Sequence, residues 1–132
     1  MTPSARLAVI LAVLPLPLWA QGAPDCGATT QAEMNECAAA DHAAADEALN
    51  DLYAAALDAA RSLDEAVGGD LNEASLRDAQ RAWLPFRDAA CTAESTPYDG
   101  GSMRPMVESS CLARLTRQRA EDLAAYAQDT AG

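Results

Sequence analysis

The spacing of apolar residues along the chain predicts three α-helices and no β-strand. From Thr29 onward, leucine, alanine and aromatic residues recur every three or four positions, which places them on one side of a helix. The first predicted helix begins at a capping box of Thr30 and Glu33 and ends at the Gly68-Gly69 pair, since glycine readily adopts the left-handed conformation that stops a helix. Its apolar stripe comprises Leu49, Leu52, Tyr53, Ala56, Leu57, Ala60, Leu63 and Val67.

A second predicted helix begins after Asp70, with Glu73 at its third position, and a third begins near Pro105. The second has an apolar stripe of Leu76, Ala79, Gln80, Trp83, Leu84, Ala90 and Cys91, and the third one of Leu112, Leu115, Thr116, Arg119, Ala120, Leu123 and Tyr126. Pro85 lies inside the second helix, where it removes a backbone hydrogen bond and costs about 3 kcal/mol unless the helix bends. We therefore expect a bend at Pro85 rather than a break.

These elements predict an all-α fold, a three-helix antiparallel bundle with two disulfides. The short turn at Gly68-Gly69 makes the first two helices antiparallel neighbours. Between the second and third helices we expect a long loop over residues 92–104, because Pro97, Gly100 and Gly101 favour turns and no apolar stripe runs through this stretch.

The N-terminus predicts export. Arg6 precedes an apolar run over residues 7–18, and small residues follow it, which is the pattern of a signal peptide. We assign 1–22 to a signal peptide and 23–132 to a single helical domain held by disulfides. The residues before Cys26 do not form a lipobox, so we expect no membrane anchor and a periplasmic or secreted location.

Four cysteines in a short exported chain predict two disulfides, and their spacing matches no zinc site. The predicted topology gathers Cys26, Cys37, Cys91 and Cys111 at one end of the bundle. Cys37 and Cys111 each lie about two turns into a helix, whereas Cys91 ends its helix level with the N-terminal segment. We therefore favour the pairs Cys26–Cys91 and Cys37–Cys111 over the other two pairings.

The charge of the chain restricts its partners. The formal net charge is −11, and removal of Arg6 with the signal peptide makes it −12. Such a protein does not bind nucleic acid or an anionic membrane by charge, whereas it attracts a cationic protein. Simple solubility is the alternative explanation for this charge.

Several polar residues lie on or beside the apolar stripes, and we interpret them as a structural network of hydrogen bonds. The network comprises Asp46, Asn50, Gln80, Arg87 and Arg119. A catalytic cleft is the alternative, but no nucleophile and base accompany these residues, so we expect no enzymatic activity and no cofactor. Arg119 on an apolar stripe needs an acidic partner, for which Asp46 and Asp88 are available, and we expect His42 and the pair Asp64-Glu65 to be solvated.

Three segments together resemble the LprI-type lysozyme inhibitor family: "AEMNECAAADHAAADEALNDLY", "AQRAWLPFRDAAC" and "CLARLTRQRAEDL". The resemblance extends from Cys26 to about Tyr126, and Pro85 departs from the family's pattern. The residues that carry it are Met34, Asn35, Cys37, Asp46, Leu49, Asn50, Tyr53, Gln80, Trp83, Arg87, Cys91, Cys111, Thr116 and Arg119.

The resemblance implies a small exported helical domain that inhibits lysozyme. We therefore expect a periplasmic binding protein that blocks a cationic lysozyme-like muramidase by protein–protein contact. The loop 92–104 is the expected contact, with Glu94, Tyr98 and Asp99 entering the cleft of the enzyme. The alternative is a structural or adaptor protein of the cell envelope that binds another exported partner.

Overall fold

The computed structural model describes residues 26–130, which form three α-helices and one short 3-10 helix. The helices are α1 (Gln31–Val67), α2 (Leu71–Ser95) and α3 (Arg104–Thr130), and the 3-10 helix is Thr96–Tyr98. The contacts between the helices show that α1 and α3 are parallel, whereas α1 and α2 are antiparallel. The expected all-α three-helix bundle is confirmed. The predicted signal peptide, residues 1–22, lies outside the described residues.

Local sequence signals determine both ends of α1. Glu33 accepts hydrogen bonds from the backbone N–H groups of Thr29 and Thr30 at 2.8 and 2.9 Å, and Thr30 Oγ1 accepts one from the Glu33 N–H. At the other end Gly68 has φ 79°, and its N–H donates to the Asp64 carbonyl. The predicted capping box and glycine C-cap are both confirmed.

The N-terminus of α2 is capped by Asp64 of the preceding helix rather than by Asp70. Asp70 is at the cap position, but its side chain makes no capping hydrogen bond. Instead, Asp64 Oδ1 accepts from the backbone and side-chain N–H groups of Asn72 at 2.9 and 2.7 Å, and its Oδ2 accepts from the Glu73 N–H at 2.9 Å. Asp64 is therefore buried, and the expectation that it lies on the helix surface is wrong.

The core is narrow because many of its side chains are alanine. It contains Leu49, Ala56, Leu57, Ala60, Leu76, Ala120 and Leu123, with Leu52, Tyr53, Trp83, Tyr126 and Ala127 packed against it in part. The predicted stripes of all three helices supply these residues. Burial of such short side chains contributes little free energy per residue, so disulfides and buried polar contacts carry a larger share of stability.

Pro85 does not interrupt α2, which continues to Ser95. The helix therefore extends into the segment that was predicted to be loop, and the 3-10 helix Thr96–Tyr98 follows it directly. The connection between α2 and α3 spans residues 96–103, which we call the connector. It is shorter than the predicted loop of residues 92–104 because Thr92–Ser95 form the last turn of α2.

The disulfides are Cys26–Cys37 and Cys91–Cys111, so the predicted pairing is wrong. Cys91 and Cys111 are both buried where α2 meets α3, and their Cα atoms are 5.4 Å apart. Cys26 lies exposed beside the first turns of α1, with its Cα 6.0 Å from that of Cys37. The prediction compared depths along the bundle, but the rotation of each helix about its axis decides which cysteines face each other.

Stability is expected to fall as the pH drops below about 4.5, because three carboxylates at helix ends are held in their charged form. Hydrogen bonds from Thr29 and Thr30 lower the pKa of Glu33 to about 2, those from Glu73 and Asn72 N–H groups lower the pKa of Asp64, and Arg61 and Arg77 lower that of Glu73. Each of these groups binds fewer protons folded than unfolded, so its contribution is present above the unfolded pKa and is lost as the pH falls towards the folded one.

Asp64→Asn is the variant that tests this pH dependence. Melting temperatures between neutral pH and pH 2 are expected to fall less steeply than in wild type, from a lower starting value, because the variant lacks one of the titrating caps. Glu47→Gln, which removes an exposed carboxylate from the same helix, is the control and should follow the wild-type curve. A wild-type melting temperature that stays constant down to pH 2 would contradict the assigned role of these caps.

Candidate functional site

Arg87 links all three helices through its guanidinium group. Its Nη1 donates to Asp46 Oδ1 on α1 at 3.4 Å and to Thr116 Oγ1 on α3 at 3.3 Å, while its Nε donates to Asp88 Oδ1 at 2.9 Å. The guanidinium carbon lies 5.3 Å from the centroid of the Trp83 ring, within the range of a cation–π contact. Arg87 and Thr116 are buried, so this arrangement specifies how the three helices pack.

A second polar contact joins α2 to α3, where Arg119 Nε donates to Gln80 Oε1 at 3.0 Å. The prediction that Asp46 or Asp88 is the acidic partner of Arg119 is wrong, because both carboxylates bind Arg87 instead. Asn50, which the sequence placed in the same network, is exposed on α1, and none of the hydrogen bonds that join these side chains involves it. Its position 100° around the helix from Leu49 turns it towards solvent.

Replacement of Arg87 is expected to cost more stability than replacement of Arg119. Arg87→Ala should lower the free energy of unfolding by about 2–3 kcal/mol, because buried Thr116 loses a charged donor and Trp83 loses its cation. Arg119→Ala should cost about 1–2 kcal/mol, since it leaves only the buried Gln80 oxygen without its donor. Denaturant unfolding of both variants measures the difference, and Arg87→Lys should recover part of the loss. Equal costs would show that the network does not centre on Arg87.

The buried ion pair between Asp41 and Arg117 was missed by the sequence analysis. Arg117 Nη1 donates to Asp41 Oδ1 at 2.8 Å, and Asp41 is 8% exposed between α1 and α3. A signal was present, since Asp41 precedes Ala45 and Leu49 by four and eight positions and so continues the buried stripe towards the N-terminus. The pair joins α1 to α3 in the half of the bundle where large apolar side chains are scarce.

His42 is half-buried rather than solvated as expected from the sequence. Its Nε2 is buried and, within the described part of the chain, has no hydrogen-bond partner. Burial lowers the pKa of His42, and the positive charge of Arg87 lowers it further, against the opposing effect of the carboxylates of Asp46 and Asp88. The imidazole is therefore neutral at neutral pH and does not add a cation to the Arg87 contacts.

The three residues expected to contact a partner lie near one another but differ in setting. Glu94 is in the last turn of α2, where its carboxylate binds Arg114 at 2.7 Å. Tyr98 ends the 3-10 helix and is 41% exposed. Asp99 follows it and binds Arg104 at 2.7 Å. Since both carboxylates have an arginine partner, this end of the bundle presents an exposed tyrosine on a nearly neutral surface.

The connector is fastened to the bundle at several points. The Cys91–Cys111 disulfide joins the helices on either side of it, and Asn35 Nδ2 on α1 donates to the Ser102 carbonyl at 3.0 Å. Within the connector, the Gly101 N–H donates to the Tyr98 carbonyl at 3.0 Å, and Gly100 has φ 76°, which glycine alone adopts without strain. The backbone at Tyr98 is therefore held in a defined position before any partner binds.

The negative charge of the described residues is concentrated on α1. This helix contains nine acidic residues and one arginine, whereas α2 contains four acidic residues and three arginines and α3 contains four of each. Four exposed carboxylates without an ion-pair partner share the side of α1 that faces solvent: Glu36, Glu47, Asp51 and Glu65. The residues between them on this side include Ala40, Ala43, Ala44 and Ala54, which are too short to shield the charges. We call these eight residues the acidic face of α1.

No group of three or more His, Cys, Asp or Glu side chains within residues 26–130 is arranged to hold a metal ion. None of the helices in this range is long and apolar enough to cross a membrane. Two surfaces, the acidic face of α1 and the connector, are the candidates for function.

Comparison with known proteins assigns the family. The sequence model of the family described as "Lysozyme inhibitor LprI" matches residues 24–123, most of the chain. The chain belongs to the LprI family. An uncharacterised protein of Rhizobium meliloti (strain 1021) is similar to it, with 41% identity over 110 residues that cover 78% of each chain. No solved structure matches the chain.

The residues that carry the LprI resemblance mostly build the scaffold. Arg87, Trp83 and Thr116 form the three-helix contact, and Gln80 binds Arg119. Three of these residues also attach the connector: Cys91 and Cys111 form the disulfide between the helices on either side of it, and Asn35 donates to the Ser102 carbonyl. The LprI pattern thus specifies the packing of the bundle and the attachment of the connector, and it leaves the acidic face of α1 outside its markers.

Proposed function

We propose that this LprI protein is exported to the periplasm or secreted, where it inhibits a cationic lysozyme-like muramidase by protein–protein contact. The observation that carries the proposal is the uneven distribution of charge, with a net charge of −8 on α1 and almost none on the other helices. The chain that carries it belongs to a lysozyme inhibitor family. A field of one sign over one surface accelerates association with an oppositely charged protein and orients it.

The connector is the proposed contact with the cleft. A muramidase of this type hydrolyses its substrate with two carboxyl groups, which would repel an anionic loop. Because Arg114 and Arg104 neutralise Glu94 and Asp99, the connector offers Tyr98 without uncompensated negative charge. An aromatic side chain on an anchored backbone has few torsions to fix, so it loses little conformational entropy when it enters a pocket.

The two surfaces lie close enough to act on one enzyme molecule. The connector is bonded to Asn35, and Glu36, the first carboxylate of the acidic face, is the next residue along α1. The acidic face extends from there along the side of the bundle. We infer that it binds the cationic surface beside the cleft while the connector approaches the cleft itself.

Clearing of a suspension of bacterial cell walls by a cationic lysozyme tests the proposal. The purified mature chain should slow the fall in turbidity in proportion to its concentration, and inhibition should weaken steeply as salt rises from low to physiological levels and beyond. Exposed charges are screened over about 8–10 Å at physiological ionic strength, so the attraction by α1 fades first. Unchanged clearing at equimolar or excess chain at low salt would overturn the proposal.

A further inference from the structure

His42 is the only histidine of the chain, and the chain contains no lysine. Histidine is the one side chain whose ordinary pKa lies between about pH 5 and 8. Three carboxylates have pKa values displaced from the ordinary one, and all three are displaced downwards, away from this range: Glu33, Asp64 and Glu73. His42 is therefore the one side chain expected to change its charge in mild acid.

His42 borders the polar contact that joins the three helices. It lies one turn before Asp46 on α1, and Arg87 and Asp88 of α2 both act on its charge. Its Nε2 atom is buried and has no hydrogen-bond partner among the described residues. A neutral ring tolerates this position, because it can carry its proton on Nδ1 and leave Nε2 without one. A protonated ring carries N–H on both nitrogens, so Nε2 would become a charged donor that is buried without an acceptor.

Each of the three carboxylates that favour a charged His42 is already bound to an arginine. The three pairs are Arg87–Asp46 at 3.4 Å, Arg87–Asp88 at 2.9 Å and Arg117–Asp41 at 2.8 Å. Burial opposes the charged ring more strongly than these carboxylates favour it, and Arg87 adds repulsion, so the pKa of His42 lies below its ordinary value. A charged ring that is to gain a partner must take a carboxylate from an arginine.

We propose that His42 makes the bundle sensitive to mild acid, so that protonation of its ring loosens the contact in which Arg87 joins the three helices. The neutral ring leaves Asp46 and Asp88 to Arg87. The protonated ring either stays buried without an acceptor or competes with Arg87 for a carboxylate, and either outcome weakens the folded state. Arg87 lies one turn before Cys91, so the contact that loosens is near the connector. This property does not depend on which partner the chain binds.

The direction of the pH dependence follows from the lowered pKa of His42. The folded chain binds this proton less tightly than the unfolded chain does. Its contribution to stability is therefore fully present above the ordinary pKa of 6.5 and is lost as the pH falls towards the folded value. This loss begins at a higher pH than that of the three carboxylates at the helix ends, so acid is expected to destabilise the bundle in two steps.

Denaturant unfolding from about pH 7.5 to about pH 5 tests the first step, at physiological salt where distant charges are screened. The unfolding midpoint of wild type is expected to fall steadily across this range. His42→Gln has a polar side chain that is neutral at every pH, so it should remove at least half of the fall, whatever its own stability at the upper end. It retains every carboxylate and the α-amino group. An equal fall in the two chains would overturn the proposal.

An NMR titration measures the charge of the ring directly, because one histidine gives one Cε1–H signal. The signal should titrate at lower pH in the folded chain than in the same chain unfolded in urea. Asp88→Asn should lower the folded pKa of His42 further, since it removes a carboxylate that favours the charged ring. Asp129→Asn neutralises an exposed carboxylate near the far end of α3 and should leave this pKa unchanged. A folded pKa at or above the unfolded one, or equal effects of the two variants, would overturn the proposal.

Discussion

Removal of the Cys91–Cys111 disulfide is expected to lower the free energy of unfolding by about 3 kcal/mol, a large part of the 5–15 kcal/mol that is usual for small domains. The two cysteines are 20 residues apart in sequence and nearly completely buried where α2 meets α3. Their bond restricts the unfolded chain, and in the folded chain it fills space in a core that is otherwise made largely of alanine. Denaturant unfolding of the double variant Cys91→Ala/Cys111→Ala measures the loss.

The matched control is Cys26→Ala/Cys37→Ala, which removes the other disulfide. This bond ties the exposed residue Cys26 to the start of α1, so its loss should release the segment before the helix and cost the remainder of the bundle less. Equal losses in the two double variants would contradict the view that the buried disulfide compensates for a small core.

Neutralisation of the acidic face of α1 is expected to slow association with a cationic lysozyme by about tenfold or more at low salt. The variant Glu36→Gln/Glu47→Gln/Asp51→Asn removes three exposed carboxylates that have no ion-pair partner. It should also reduce the dependence of the association rate on salt, while circular dichroism and the melting temperature stay close to wild type. Stopped-flow or surface-based kinetics provide the rates.

The control for this variant removes the same charge from another helix. Glu121→Gln/Asp122→Asn/Asp129→Asn takes three exposed carboxylates from α3, whose net charge is otherwise zero. The charge of the whole chain changes equally in the two variants, so only a localised field distinguishes them. If the α3 variant slowed association as much as the α1 variant, net charge alone would account for the attraction and α1 would have no special role.

The helices and caps followed from the sequence because their causes are local. Thr30 and Glu33 are three residues apart, and Gly68 stops α1 through its own backbone conformation. The apolar stripes likewise predicted most of the core, since a side chain that recurs every three or four positions has few other places to be buried. The length of α2 was underestimated because Thr92–Ser95 carry no apolar signal, although they complete its last turn.

Contacts between helices were harder to predict because they depend on the rotation of each helix about its axis. This rotation places Cys91 beside Cys111. It also pairs Asp46 with Arg87 instead of Arg119, and it turns Asn50 towards solvent. The prediction that Asp70 caps α2 was wrong for a related reason. Asp64 is close to Asn72 only after the chain reverses at the Gly68-Gly69 turn, and its carboxylate, rather than that of Asp70, then accepts from the free N–H groups of α2.

The most direct test of the proposed function is the hydrolysis of a soluble, uncharged oligosaccharide by a cationic lysozyme in the presence of the mature chain. A neutral substrate matters because cell walls are themselves charged, and an acidic protein can keep a cationic enzyme away from them without touching its cleft. We expect hydrolysis to stop almost completely near one chain per enzyme molecule at low salt. Tyr98→Ala should weaken this inhibition although it leaves the charge of the chain unchanged. Full hydrolysis of the oligosaccharide at saturating chain would show that the cleft stays open and would contradict the proposal.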